Sequence, residues 1–268
     1  LNNYLITDQS TALADITERP FGITGITVFG LTLNNKIYDG TDIAPLDTSN
    51  ISYSGLVPGD DFSGTFTGVF SAGKDVGANK TVVITSSYSG ADVGNYSVTN
   101  QSTATGNIVP KTLTATASAS NKVYNGDNTA TTTLTLSGLI GSETLDATNN
   151  TSTFNNKNVG SNKTVTVNSI TLANGTNGDL ASNYSISAGQ TTTANITPKA
   201  LTATASASNK VYDGNNTAIT TITLTLSDFI GSETLTNTNL STFDNKNVGS
   251  NKTVTVNSIT LSDGTNGG

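Results

Sequence analysis

A lysine, a tyrosine, an Asp or Asn, and a glycine recur together three times, as Lys36-Ile37-Tyr38-Asp39-Gly40, Lys122-Val123-Tyr124-Asn125-Gly126 and Lys210-Val211-Tyr212-Asp213-Gly214. A carboxylate beside a lysine and a phenol has the makings of acid–base or metal chemistry. The second copy argues against it, because Asn125 cannot act as a general base where Asp39 and Asp213 stand. A turn tolerates that exchange. The motif therefore reads as structural: Asp/Asn-Gly takes the positive-φ positions of a tight hairpin and the tyrosine packs at the strand end. Tyr38, Asp39, Gly40, Tyr124, Asn125, Gly126, Tyr212, Asp213 and Gly214 are assigned to it.

Other chemistry fares no better. One acid recurs per copy (Asp61, Glu143 and Glu233, following Gly59, Gly141 and Gly231), whereas glycoside hydrolysis needs two carboxylates about 5–10 Å apart. An autocatalytic Lys–Asn or Lys–Asp isopeptide bond is a further thought. Its candidate lysines are Lys36, Lys122 and Lys210, then Lys74, Lys157 and Lys246, then Lys80, Lys163 and Lys252, but all sit in polar, turn-like contexts. There is no His or Cys, which removes the usual zinc ligands and the Ser-His and Cys-His nucleophiles. Calcium is the one metal worth considering; Asp60-Asp61 and the Asp39/Asp42 pair come nearest to an acidic loop. No catalytic residue, cofactor site or metal site is assigned, and the chain is not read as an enzyme.

Hydrophobic residues make up 34% of the chain and charged residues 12%, so Thr, Ser, Asn and Gly keep it polar through hydroxyls and amides. That suits thin β domains with small cores. The net charge of −7 argues against nucleic acid as a partner. No apolar run approaches the ~18 residues of a membrane span, so membrane insertion is not expected either.

The elements that hold the motifs are strands. Leu113, Ala115, Ala117 and Ala119 alternate with Thr and Ser, and Val165/Val167, Ile170/Leu172 and Ala194/Ile196 continue the period of two. Asn-Gly, Asp-Gly and Gly-Ser clusters punctuate them. The expectation is all-β, with tandem antiparallel Ig-like β-sandwich repeats arranged as an elongated rod. Leu113–Lys122 and Leu201–Lys210 are identical, and Ile108-Val109-Pro110-Lys111 matches Ile196-Thr197-Pro198-Lys199. Repeats are drawn at residues 21–112, 113–200 and 201–268. Residues 1–20 read as the last strands of a preceding repeat, because Asn3-Tyr4 and Asp15-Ile16-Thr17 match Asn183-Tyr184 and Asn195-Ile196-Thr197. The third copy stops before its own Asn-Tyr strand, so one reading is excision from a longer array. The other is head-to-tail self-assembly, in which residues 1–17 of a neighbour complete the third repeat and Tyr4, Ile6 and Ile16 mark the donor strand.

Lys210-Val211-Tyr212-Asp213-Gly214-Asn215-Asn216-Thr217-Ala218, Phe154-Asn155-Asn156-Lys157-Asn158-Val159-Gly160, Asn183-Tyr184 and Ile196-Thr197-Pro198-Lys199 together resemble the YDG-type repeats. These repeats, with the related MBG repeats, occur in very large bacterial surface proteins similar to filamentous haemagglutinins. The resemblance runs through the chain three times, with the first copy departing most. It implies an extracellular or cell-surface location and a stalk or fibre role in an adhesin or biofilm-matrix protein, without catalytic residues. A multivalent module that binds glycan or matrix is the alternative.

Overall fold

The computed structural model describes residues 13–17, 26–176 and 179–265. Among them there is no α-helix; strands are joined by turns and three short 3-10 turns. The expected all-β class is what the chain adopts, in several mostly antiparallel sheets. Contacts gather the chain into two compact units that cut across the repeat boundaries drawn from sequence. Of the described residues, one unit holds those within 1–114, 136–148 and 172–187, and the other those within 115–135, 149–171 and 188–268.

In the first unit, five strands form one sheet, in the order Lys36–Ile37, Thr103–Val109, Gly77–Ser89, Ser63–Phe70, Ile43–Ala44. Lys36–Ile37 pairs in parallel with Thr103–Val109, and the other pairings are antiparallel. Alternation sets which side chains turn inward. Phe66, Gly68 and Phe70 share one face of their strand, and Val82 and Ile84 share one face of the next, with Phe70 opposite Val82. Tyr38, Phe70, Val82 and Ile108 are fully buried and cluster with the buried Leu31, Leu113, Leu145 and Tyr184. Each large apolar side chain buried in this way stabilises the fold by about 1.5–3 kcal/mol. A second, aromatic cluster of Val28, Tyr53, Phe62, Phe66, Tyr88 and Tyr96 sits beside the three-stranded sheet of Ser52–Ser54, Ile26–Phe29 and Val98–Thr99.

The second unit repeats part of that plan. A four-stranded sheet, most of it in this unit, runs Lys122–Val123, Thr191–Thr197, Gly160–Asn174, Leu145–Phe154. Phe154, Val165, Ala194 and Ile196 form the core under it, with Ala119, Tyr124 and Ala130 packed against them. The third repeat contributes a sheet of Thr217–Ala218, Leu235–Phe243 and Val254–Asp263 and a two-stranded pair of Ala203–Ala207 with Thr220–Leu224. Where Thr191–Thr197 lies in the second repeat, the third has a groove lined by Lys210, Tyr212, Phe243, Val248, Lys252 and Val254.

Candidate inter-repeat junction

The Tyr-Asp/Asn-Gly segment is not the hairpin its sequence suggests. Lys36–Ile37 and Ile43–Ala44 lie at opposite edges of one five-stranded sheet, so the motif crosses from edge to edge. Only its glycine takes a positive φ: 80° at Gly40, 83° at Gly126 and 84° at Gly214. The preceding Asp or Asn instead folds its side chain onto the backbone ahead. Asp39 Oδ1 accepts from the Thr41 N–H at 2.9 Å, Asn125 Oδ1 from Asp127 at 3.3 Å and Asp213 Oδ1 from Asn215 at 3.1 Å. This is the Asx turn, a geometry that Asp and Asn share, and it explains why the exchange at position 125 is harmless.

The motif's lysine closes the same loop from inside. Lys36 Nζ donates to the carbonyls of Thr41 (2.9 Å) and Ile43 (2.7 Å) and pairs with Asp39 at 2.9 Å. Lys122 does the same with the carbonyls of Asp127 and Thr129, and Lys210 with those of Asn215 and Thr217. These amines serve as hydrogen-bond donors to carbonyl oxygens, which gives them a structural use in place of isopeptide chemistry. Lys80 similarly holds the loop that carries Lys74, donating to the carbonyls of Gly73 (2.8 Å) and Asp75 (2.5 Å). Lys163 and Lys252 reach Asn156 and Asn245 in the matching loops, both at 2.6 Å.

With both loops fixed, the tyrosine and Lys74 converge on the acid of the following repeat. Tyr38, 2% exposed, donates its hydroxyl to Glu143 Oε1 at 2.5 Å, and Lys74 Nζ reaches the same oxygen at 3.1 Å. Tyr184 donates to Glu143 Oε2 at 2.5 Å while accepting from the Ile140 N–H at 3.0 Å. The Tyr38 and Tyr184 rings meet edge to face, centroids 5.4 Å apart. The glycine matters here as well: a Cβ on Gly40 would lie 2.8 Å from Ile140 Cγ2. Beside this contact, the buried Asn183 accepts from the Val76 N–H and donates to Asp75, both at 2.9 Å.

The next junction is built the same way. Tyr124 donates to Glu233 Oε1, Lys157 approaches that oxygen at 3.3 Å, and a Cβ on Gly126 would lie 2.6 Å from Ile230 Cγ2. The side chains of Glu143 and Glu233 are 11% and 12% exposed. Burial pushes the Glu143 carboxyl up, but donation from Tyr184, Tyr38 and Lys74 outweighs it and holds it below the usual range. Donation from Tyr124 does most to lower Glu233. Burial first, then the hydrogen bond to Glu143, pushes the Tyr184 phenol up to about 12. Such an arrangement binds and aligns, since the acid's oxygens are occupied by donors.

In the third repeat the same groups face solvent. Tyr212 is 58% exposed, Lys246 is exposed, and a Cβ on Gly214 would meet nothing within 4 Å among the described residues. The recurring acid of the first repeat also needs correction. Counting from glycine selects Asp61, but Asp60 occupies the equivalent place, since its N–H donates to the Val57 carbonyl as Glu143 does to Ile140. Pro58 stands where Gly141 does, so the glycine of that turn comes one residue later and the count from it overshoots by one. Of the proposed donor strand, Tyr4 and Ile6 lie outside the described residues, and Ile16 is 98% exposed. Among the described residues no three His, Cys, Asp or Glu side chains gather as metal ligands would.

Tandem β repeats joined by a tyrosine–glutamate contact define a repeat protein. The YDG domain family matches residues 24–105, 109–194 and 197–268, and the chain belongs to that family. No curated protein and no solved structure matches the chain.

Proposed function

We propose that the chain is a structural stalk or fibre-forming region of a bacterial extracellular adhesin or biofilm-matrix protein. The observation that carries this reading is the recurrence of one junction: tyrosine, lysine and glycine from one repeat grip the Ile-x-x-Glu turn of the next, twice. A spacer needs only that each repeat hold its successor by the same contact, and near-identical copies supply it. Small-angle scattering tests the rod. Three repeats of about 25–40 Å each give a radius of gyration well above the ~18 Å of a compact chain of this length. A value near 18 Å sinks the stalk.

Within this reading the fibre grows head to tail, residues 1–17 of one copy entering the third-repeat groove of another. Its support is the way the two earlier repeats are closed. The Tyr38 N–H donates to Val109 and the Tyr124 N–H to Thr197, each the end of its repeat's final strand. Residues 13–17 carry the matching Asp15-Ile16-Thr17. Deleting residues 1–17 abolishes concentration-dependent association if this is right and leaves it untouched if not.

A further inference from the structure

The first and second repeats each pair their opening segment with their closing one, and pair them in parallel. In the first repeat Ile26 faces Val98 and Thr27 faces Thr99; further along the same two segments Lys36 faces Ile108 and Ile37 faces Val109, with no slip between the two pairings. The second repeat has both pairings as well, Lys111–Thr112 with Tyr184–Ser185 and Lys122–Val123 with Ile196–Thr197. The N–H groups of Tyr38, Leu113 and Tyr124 extend these ladders, donating to Val109 at 2.9 Å and to Ser185 and Thr197 at 2.8 Å. Between the two pairings of the first repeat a side chain bridges the gap: Gln101 donates its amide to the Leu31 carbonyl at 2.9 Å and accepts from the Leu31 N–H at 3.1 Å. Asn107 adds a bond to Asn35 at 2.9 Å, and in the second repeat the Asn195 N–H donates to Asn121 Oδ1 at 2.8 Å. Every one of these bonds lies within a single repeat.

We infer that the paired segments are a load-bearing clamp, by which each of these repeats resists tension applied along the chain. Tension draws the opening segment toward its N-terminus and the closing segment toward its C-terminus. In a parallel pair those pulls oppose each other along one axis, so the strands must slide and the bridging hydrogen bonds are loaded together. An antiparallel pair under the same pulls opens from one end, one bond after another. Thr103–Val109 passes through Pro110 alone into Lys111–Thr112, so tension leaving the first clamp enters the second across a residue whose φ is fixed. The use of the clamp rests on the stalk reading, since a tether is what carries tension; its resistance is measurable without that reading.

Force-clamp spectroscopy tests it on the full chain, held by a handle at each end. Gln101→Ala removes both bonds to Leu31, whereas Ile84→Val trims the core on Gly77–Ser89, a strand that belongs to neither segment. Both cost a comparable amount of thermal stability. The clamp is what parts first under load, so Gln101→Ala speeds one unfolding event about tenfold at fixed force. Asn35→Ala, which loses the Asn107 bond, acts in the same direction. Ile84→Val leaves the rate within about twofold, because the core is still packed when the clamp gives way. An unfolding rate that Gln101→Ala leaves unchanged, or rates that follow the thermal midpoint whichever residue is replaced, overturn the clamp. So does an unsubstituted chain that extends with no resisted event. Any of these beside a radius of gyration well above ~18 Å leaves the stalk standing; a tenfold effect at Gln101 beside a radius near that value keeps the clamp and removes the stalk.

Discussion

Tyr38→Phe and Tyr212→Phe remove the same hydroxyl from the same motif, once at a mated junction and once at an exposed one. Tyr38 donates to a carboxylate whose side chain is 11% exposed. Hydrogen bonds to charged partners contribute about 1.5–3 kcal/mol. Glu143 keeps Tyr184 and Lys74 after the change, so the loss falls at or just below the low end of that range, about 1–2 kcal/mol. In a chain of this size that lowers the thermal midpoint by about 2–8 °C. Among the described residues Tyr212 meets no such acceptor, and it is 58% exposed, so its replacement stays within about ±0.5 kcal/mol. Near-ultraviolet circular dichroism follows both melts at a concentration low enough to suppress association; with no Trp in the chain, its signal comes from tyrosine and phenylalanine. Equal midpoints for the two variants, or a larger loss at Tyr212, would refute the tyrosine–glutamate clasp as a stabilising contact.

The pH dependence and the glycines give two more outcomes. The Glu143 carboxyl is held below its ordinary range in the folded chain, so its contribution is full above about pH 4.3 and is lost as pH falls through the lowered folded value. Glu143→Gln should therefore be about 1–2 kcal/mol less stable at neutral pH, with the gap closing toward about pH 3 in denaturant melts; a constant gap removes the ionic account. Gly126→Ala and Gly214→Ala both force a side chain into positive φ, worth about 1 kcal/mol. Only the former also drives a Cβ to 2.6 Å from Ile230 Cγ2, so its melting midpoint should be the lower of the two.

The all-β class and the period of the array are open to reading because alternation and copying are local signals. Thr114–Ala119 alternates as written, and Leu201–Lys210 duplicates Leu113–Lys122 letter for letter. The clasp is hidden because Tyr38 and Glu143 are 105 residues apart, and Tyr124 and Glu233 109. One signal is present: tyrosine, lysine and acid recur in step, which singles them out as partners once pairing between successive copies is considered. The hairpin expectation fails because Asp-Gly is compatible with an Asx turn as well, and only the sheet order tells a hairpin from a crossing. Asp61 stands out over Asp60 in the sequence for a similar reason, since glycine count is a poor ruler where Pro58 takes the place of Gly141 and the glycine falls one residue later in a turn of the same length.

The variable letter of the motif follows from what its loop must supply. Each loop surrounds one lysine, and each places one carboxylate on it, but not at a fixed position. Lys36 pairs with Asp39 at 2.9 Å and Lys210 with Asp213 at 2.8 Å, both one residue after the tyrosine. Lys122 pairs with Asp127 at 2.7 Å, three residues after Tyr124, and there Asn125 fills the nearer place. The third loop shows the mirrored choice, with Asp213 near and Asn215 far, each amide donating to its carboxylate neighbour at 2.8 and 3.0 Å. Donation from Lys122, then from Thr129, holds Asp127 well below the usual carboxylate range. It follows that Asp127→Asn, which leaves the second loop with no carboxylate, costs up to about 1 kcal/mol, discounted because Asp127 is half exposed. Adding Asn125→Asp restores the charge at the position the other two loops use, and the double variant should recover most of that loss in a denaturant melt. A double variant no better than Asp127→Asn alone would mean that a carboxylate at the near position cannot take over the pairing with Lys122.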